Sequence, residues 1–133
     1  RTSLLLNSGA EAYVRAQALF LYPPYWISTH IDPLTEAENK QLLDFPPIQN
    51  VLARIQAVQA FQLEEVHQQA LKNVPVHLIA NRDDFLVPYQ CSQQLQQLLP
   101  HSRFNLLETG AHASTVTETA LINQNMLHFL KSA

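Results

Sequence analysis

"HLIANRDDFLVPYQCSQQL" (His77–Leu95) sets the organisation of this chain. The apolar run from Val74 to Asn81 is short, rich in branched residues and closed by turn formers, so it reads as a buried strand. Two acids, Asp83 and Asp84, follow directly. Past Pro88, residues Cys91, Leu95, Leu98 and Leu99 recur at helical spacing and predict a helix with that apolar face. "SRFNLLE" (Ser102–Glu108) turns Phe104 and Leu106 inward on a second strand. "TGAHAST" (Thr109–Thr115) leads into a last helix, opened by Thr115 and Glu118 as a capping box and carrying Ile122, Met126, Phe129 and Leu130. Strand, helix, strand in that order implies a parallel pair with a right-handed crossover.

Upstream the pattern is helical. Ser8 with Glu11, and Thr35 with Glu38, each match the capping-box spacing of a hydroxyl and a carboxylate three residues apart. After Pro46-Pro47, residues Ile48, Val51, Leu52 and Ile55 mark one face of an amphipathic helix. Leu63, Val66, Ala70 and Leu71 mark a further short one. "FLYPPYWISTHIDP" (Phe20–Pro33) reads as a proline-broken aromatic loop whose Tyr22, Tyr25 and Trp26 either line a pocket or anchor the loop itself. The expected division is a helical segment, 1–73, and a β-α-β-α segment, 74–133.

Composition narrows the function classes. At 133 residues, 47% hydrophobic and 14% charged, the chain is long and apolar enough to bury a core. The net charge of −3 and the lack of any Lys/Arg cluster argue against nucleic acid or an anionic membrane as partner. No apolar run approaches the length of a membrane span. The single cysteine, Cys91, leaves no internal disulfide and fits a reducing, cytoplasmic setting. With two glycines, Gly9 and Gly110, no glycine-rich phosphate loop can form. Two parallel strands alone make no stable sheet. The missing neighbours are expected from residues outside this chain, an absent N-terminal half, or from a second copy in a homo-oligomer.

In an open parallel sheet, functional groups collect beyond the carboxyl ends of the strands. Here one strand ends on Asp83 and Asp84 and the other on "GAHAS", with His112. Neighbouring strands would lay these two loops side by side. A buried carboxylate that accepts a hydrogen bond from one imidazole nitrogen fixes the tautomer and stabilises the imidazolium. The second nitrogen is then free to take a proton from a nucleophile. Gly110 lets the backbone bend so that the ring turns back over the sheet.

"PVHLIANRDDFLVP" (Pro75–Pro88) followed by "GAHAS" (Gly110–Ser114) resembles the C-terminal part of the α/β-hydrolase superfamily. In that family the acid commonly stands four residues before a proline, and the histidine follows the last strand in a G-x-H. The resemblance therefore implies Asp84 as catalytic acid and His112 as catalytic histidine, with Asp83 left to the turn. It also implies that residues 1–73 are a cap and 74–133 the end of the core. Further likeness in "EAYVRAQALFLYPPYWI", "RIQAV", "VPYQCS" and "GAHASTVTE" points to the pyrimidine-utilisation branch. The implied enzyme is a cofactor-free, metal-free hydrolase of a small carbamate, aminoacrylate, amide or ester. The chain departs from the family in one large respect: neither the nucleophile elbow, G-x-S-x-G, nor the oxyanion loop is present. Alone, these residues are expected to be inactive.

Other readings compete. The chain could instead be a non-catalytic piece that self-associates through an open strand edge. Asp83-Asp84 could be an Mg²⁺ pair, but the further acids and the Lys or Thr such a fold needs are missing. Asp84 could equally cap a helix, and His112 could bond to the backbone of its own loop. Ser92 falls inside a helix pattern, and neither it nor Ser114 lies on an elbow-type turn. His77 reads as a satisfied core residue and Cys91 as core packing. His30 with Asp32 lacks a third ligand.

Overall fold

The computed structural model describes residues 2–132 and is mixed α/β, mostly helical, with one two-stranded parallel sheet. It divides into two compact units, residues 2–19 with 24–62, and residues 20–23 with 63–132.

The first unit is helical. Helix α1 (Thr2–Arg15) is two stretches joined at Gly9, whose φ of 80° lies where an L side chain is strained. Helix α2 (Gln17–Leu21) follows, its last two residues falling in the second unit, then α3 (Pro24–Thr29), α4 (Ile31–Leu43) and α5 (Ile48–Ala60). The expected loop at 20–33 is thus largely helix. Pro24 opens α3 at its first position, where the missing N–H costs nothing. His30 stacks on Trp26, with ring centres 4.1 Å apart, and occupies the N-cap of α4. The capping box expected at Thr35 is absent, because α4 starts a turn earlier and the Thr35 hydroxyl donates to the Ile31 carbonyl (2.8 Å). Leu5, Tyr13, Val14 and Val51 form the core, with Leu42, Phe45, Leu52 and Ile55 packed on it. Tyr13 meets Phe45 edge to face. At the surface Arg15 donates to Glu11, Glu38 and Asn39, each at 3.1 Å. Hydrogen bonds to Glu11 and then Glu38 raise the guanidinium above its usual value.

The second unit carries the sheet. Helix α6 (Glu65–Leu71) is closed at its start by Glu64, whose N–H donates to the His67 ring (3.1 Å). Strand β1 (His77–Asn81) pairs in parallel with β2 (Arg103–Leu107), from His77 opposite Arg103 to Asn81 opposite Leu107. The ladder runs one step further, with the Arg82 N–H donating to the Leu107 carbonyl (2.9 Å). Helix α7 (Tyr89–Leu98) connects the strands and packs on both.

Neither strand is the buried apolar element the sequence suggests, since only Ala80, Asn81 and Leu107 of the ten residues are buried. One face is polar. Asn105 joins the His77 ring (3.1 Å) to Asn125 (2.7 Å), while Phe129 stacks on His77. Cys91, expected in the core, is exposed, because a two-stranded sheet among the described residues cannot cover the whole face of α7. The last helix is broken. A four-residue turn, α8 (Ser114–Thr117), precedes α9 (Thr119–Ser132), and Glu118 sits at the junction instead of closing a capping box. Of the apolar face expected there, Ile122 is buried, while Met126 and Leu130 are exposed. No described helix is long and apolar enough to cross a membrane.

Candidate active site

Parallel pairing delivers both strand ends to the same rim, so the loop after Asn81 lies beside the loop after Leu107. The first loop folds on its own acid. The Asp84 N–H donates to the Asn81 carbonyl (3.3 Å), and Asp84 Oδ1 accepts from the N–H groups of Leu86 (2.7 Å) and Val87 (2.9 Å). Such an Asx-type turn fixes a carboxylate by main-chain bonds alone. The other oxygen, Oδ2, is left to meet His112 Nδ1 at 2.9 Å. A carboxylate only accepts, so Nδ1 carries the proton, and in the neutral ring Nε2 holds the free lone pair. The Asp84 side chain is 10% exposed and that of His112 is 36% exposed. The acid is therefore shielded while the ring reaches solvent. No described residue bonds to Nε2. An open cavity of about 350 Å³ adjoins the pair, lined among others by Ile79, Asn81, Ser92, Ser114 and Met126. A larger hollow of about 720 Å³ along α9 shares none of these residues.

Asp83 is expected in the turn and lies in one, and its side chain has a further job. Its carboxylate leaves its own loop and accepts from the N–H groups of Ala111 (2.9 Å) and Gly110 (3.2 Å). Asn81 was missed altogether. It is buried, and its Nδ2 donates to the Ala111 carbonyl and to Ser114 Oγ, both at 2.8 Å. Thr117 Oγ1 closes on the Gly110 carbonyl (2.8 Å). The signal for these three is weak, because apart from the Ser114 hydroxyl their partners are main-chain groups of the Gly110–Ala111 turn, which sequence patterning does not register.

The remaining candidates fall outside the pair. Ser114 is buried against Asn81, and Ser92 lies within α7, so neither sits at an elbow. His77 is bound to Asn105 and His30 to the Trp26 carbonyl (3.0 Å). Among the described residues no three His, Cys, Asp or Glu side chains converge as a metal set. Asp83 and Asp84 together already accept from four N–H groups and the His112 ring. Chemically the arrangement is an oriented imidazole with one nitrogen held and the other available to take and return a proton.

No family model matches the chain. Individual relatives do. The protein named "Putative carbamate hydrolase RutD" from Acinetobacter baylyi is 50% identical over 133 residues, all of this chain and 50% of that protein. Its namesakes from Pseudomonas savastanoi pv. phaseolicola and Agrobacterium fabrum are 48% and 42% identical, over 99% and 100% of this chain and 50% of each relative. The likeness covers both the helical residues and the Asp84–His112 rim. Over its whole length the chain is thus similar to proteins of that name, and it spans about half the length of the relatives it matches.

Proposed function

We propose that the chain is the C-terminal part of an α/β-hydrolase of the pyrimidine-utilisation type, with residues 1–73 as cap and 74–133 as the end of the core. The complete enzyme hydrolyses a small carbamate, amide or ester without a cofactor. The observation that carries this reading is the 2.9 Å bond between Asp84 and the Nδ1 of His112, with Nε2 unengaged beside a cavity. His112 Nε2 takes the proton from an attacking hydroxyl or water supplied by the other half of the protein. The imidazolium, held by Asp84, returns that proton to the leaving group as the carbonyl adduct collapses. The name of the relatives supports a carbamate as substrate.

Replacing His112 by Ala in the complete protein tests the assignment. Turnover is expected to fall by about 10³-fold or more, with an unchanged circular dichroism spectrum. Activity within a few-fold of the parent would remove His112 from the mechanism.

One feature favours a second reading, in which the chain associates with a copy of itself. Each strand has a single hydrogen-bonded neighbour among the described residues, and Phe85, Val116, Leu127 and Leu130 are exposed apolar groups in the same unit. Sedimentation velocity of the 133-residue chain decides it, since a monomer at micromolar concentration rules the reading out.

A further inference from the structure

Asp83 and Asp84 are adjacent in sequence, yet they bind different things. We infer that the Asp83 carboxylate, backed by Asn81 and Thr117, is a positioning device that sets the direction of the His112 ring. For its catalytic consequence this rests on the hydrolase reading above, but its geometric content does not.

The two residues before His112 are in an unusual conformation. Gly110 has φ 127° and Ala111 has φ 52°, a left-handed value that alanine adopts only under external constraint. Two such residues in a row turn their N–H groups to one side, where a single anion can take both. Asp83 is that anion, with one oxygen on each N–H. The carbonyls of the same two residues are also held, Gly110 by Thr117 and Ala111 by Asn81. Beyond His112, the Ala113 N–H donates to the Leu21 carbonyl (2.9 Å). The main chain is thus pinned before and after His112.

The ring's one bond to Asp84 spans 2.9 Å and tolerates little displacement before it is lost. No other hydrogen bond among the described residues restrains the ring, and over a third of the side chain is exposed. Orientation of the imidazole therefore comes from the backbone beneath it, and the backbone is fixed by Asp83. The two acids divide the task. Asp84 selects the tautomer, and Asp83 brings the ring to where Asp84 can do so.

Ring ¹⁵N shifts of His112 report the tautomer, and hydrogen exchange reports the Gly110 and Ala111 amides. Both are measured on the complete protein, unsubstituted and as Asp83→Asn and Thr117→Val. The unsubstituted ring is expected to be mainly the Nδ1–H form. In Asp83→Asn the two amides should exchange at least about tenfold faster, and the Nε2–H form should rise to a comparable population. Thr117→Val keeps the side-chain shape and should shift the ring the same way by a smaller amount. Faster amide exchange with an unchanged tautomer would overturn the inference, because Asp83 would then only brace the loop. Should Asp83→Asn fail to fold, a folded Thr117→Val with the original tautomer would overturn it equally. None of these measurements needs turnover, so failure of the hydrolase reading, judged by His112→Ala in the complete protein, is seen separately.

Discussion

The helical unit and the rim that carries His112 are held together by opposite means. In the first, Leu5 and Val14 are essentially shut off from solvent, and the contacts around them are apolar. Around His112 the contacts are directional, and one short turn donates to Asp83 and accepts from Asn81 and Thr117. Dispersion contacts are numerous and individually weak, so they fix a distance between helices without fixing an angle. Hydrogen bonds fail within a few tenths of an ångström and with modest tilt, so they fix an angle. A helical core can shift slightly and still be a core. A ring that must present one nitrogen to a carboxylate cannot.

That contrast can be broken from either side. The largest effect should come from Leu5→Ala, which empties a fully enclosed site and should cost about 3 kcal/mol in urea unfolding. A loss under about 1 kcal/mol would mean that the helical unit is not organised by its apolar cluster. Gly110→Ala should come next, at about 2 kcal/mol. Its Cβ would lie 2.7 Å from Ser114 Cβ and 3.1 Å from Glu118 Cγ, at a φ of 127°. Exchange protection at Ala111 should disappear with it, and protection that survives would show the turn to be less tightly determined than its bonds imply. Smallest is Arg15→Gln. Arg15 and Glu11 are exposed and only Glu38 is half-buried, so salt and water screen the network and the unfolding midpoint should not move measurably. A clear drop in the midpoint, suppressed by 1 M salt, would place a charge network among the forces holding the first unit.

Much of the second unit could be read in the sequence. The apolar, β-branched run at 74–81, the acids after it and the Gly before His112 are local signals, and the parallel pairing follows from chain order. What escaped was non-local or depended on how much sheet is present. Asp83 reads as a turn residue, which it is, but its second role stays hidden because its partners are the amides of Gly110 and Ala111, and an amide leaves no mark in a sequence. Cys91 followed the apolar period of α7 but is exposed, because periodicity tells which face is apolar and not whether anything covers it. The prolines at 23 and 24 indicate a break, and one does separate α2 from α3, but Pro24 then starts a helix instead of continuing a loop. Thr35 and Glu38 had capping-box spacing inside a helix already under way, with Glu38 bound to Arg15 instead.

All the side chains that hold the turn and the ring, Asn81, Asp83, Asp84 and Thr117, come from one continuous stretch. Bringing them together closes only a short length of chain, and the entropy of closure grows slowly with that length. The stretch can therefore assemble early, before more distant parts of a longer polypeptide have been joined to it. It can also be inherited as a unit, because recombination outside residues 81–117 leaves these side-chain contacts to His112 and its turn intact.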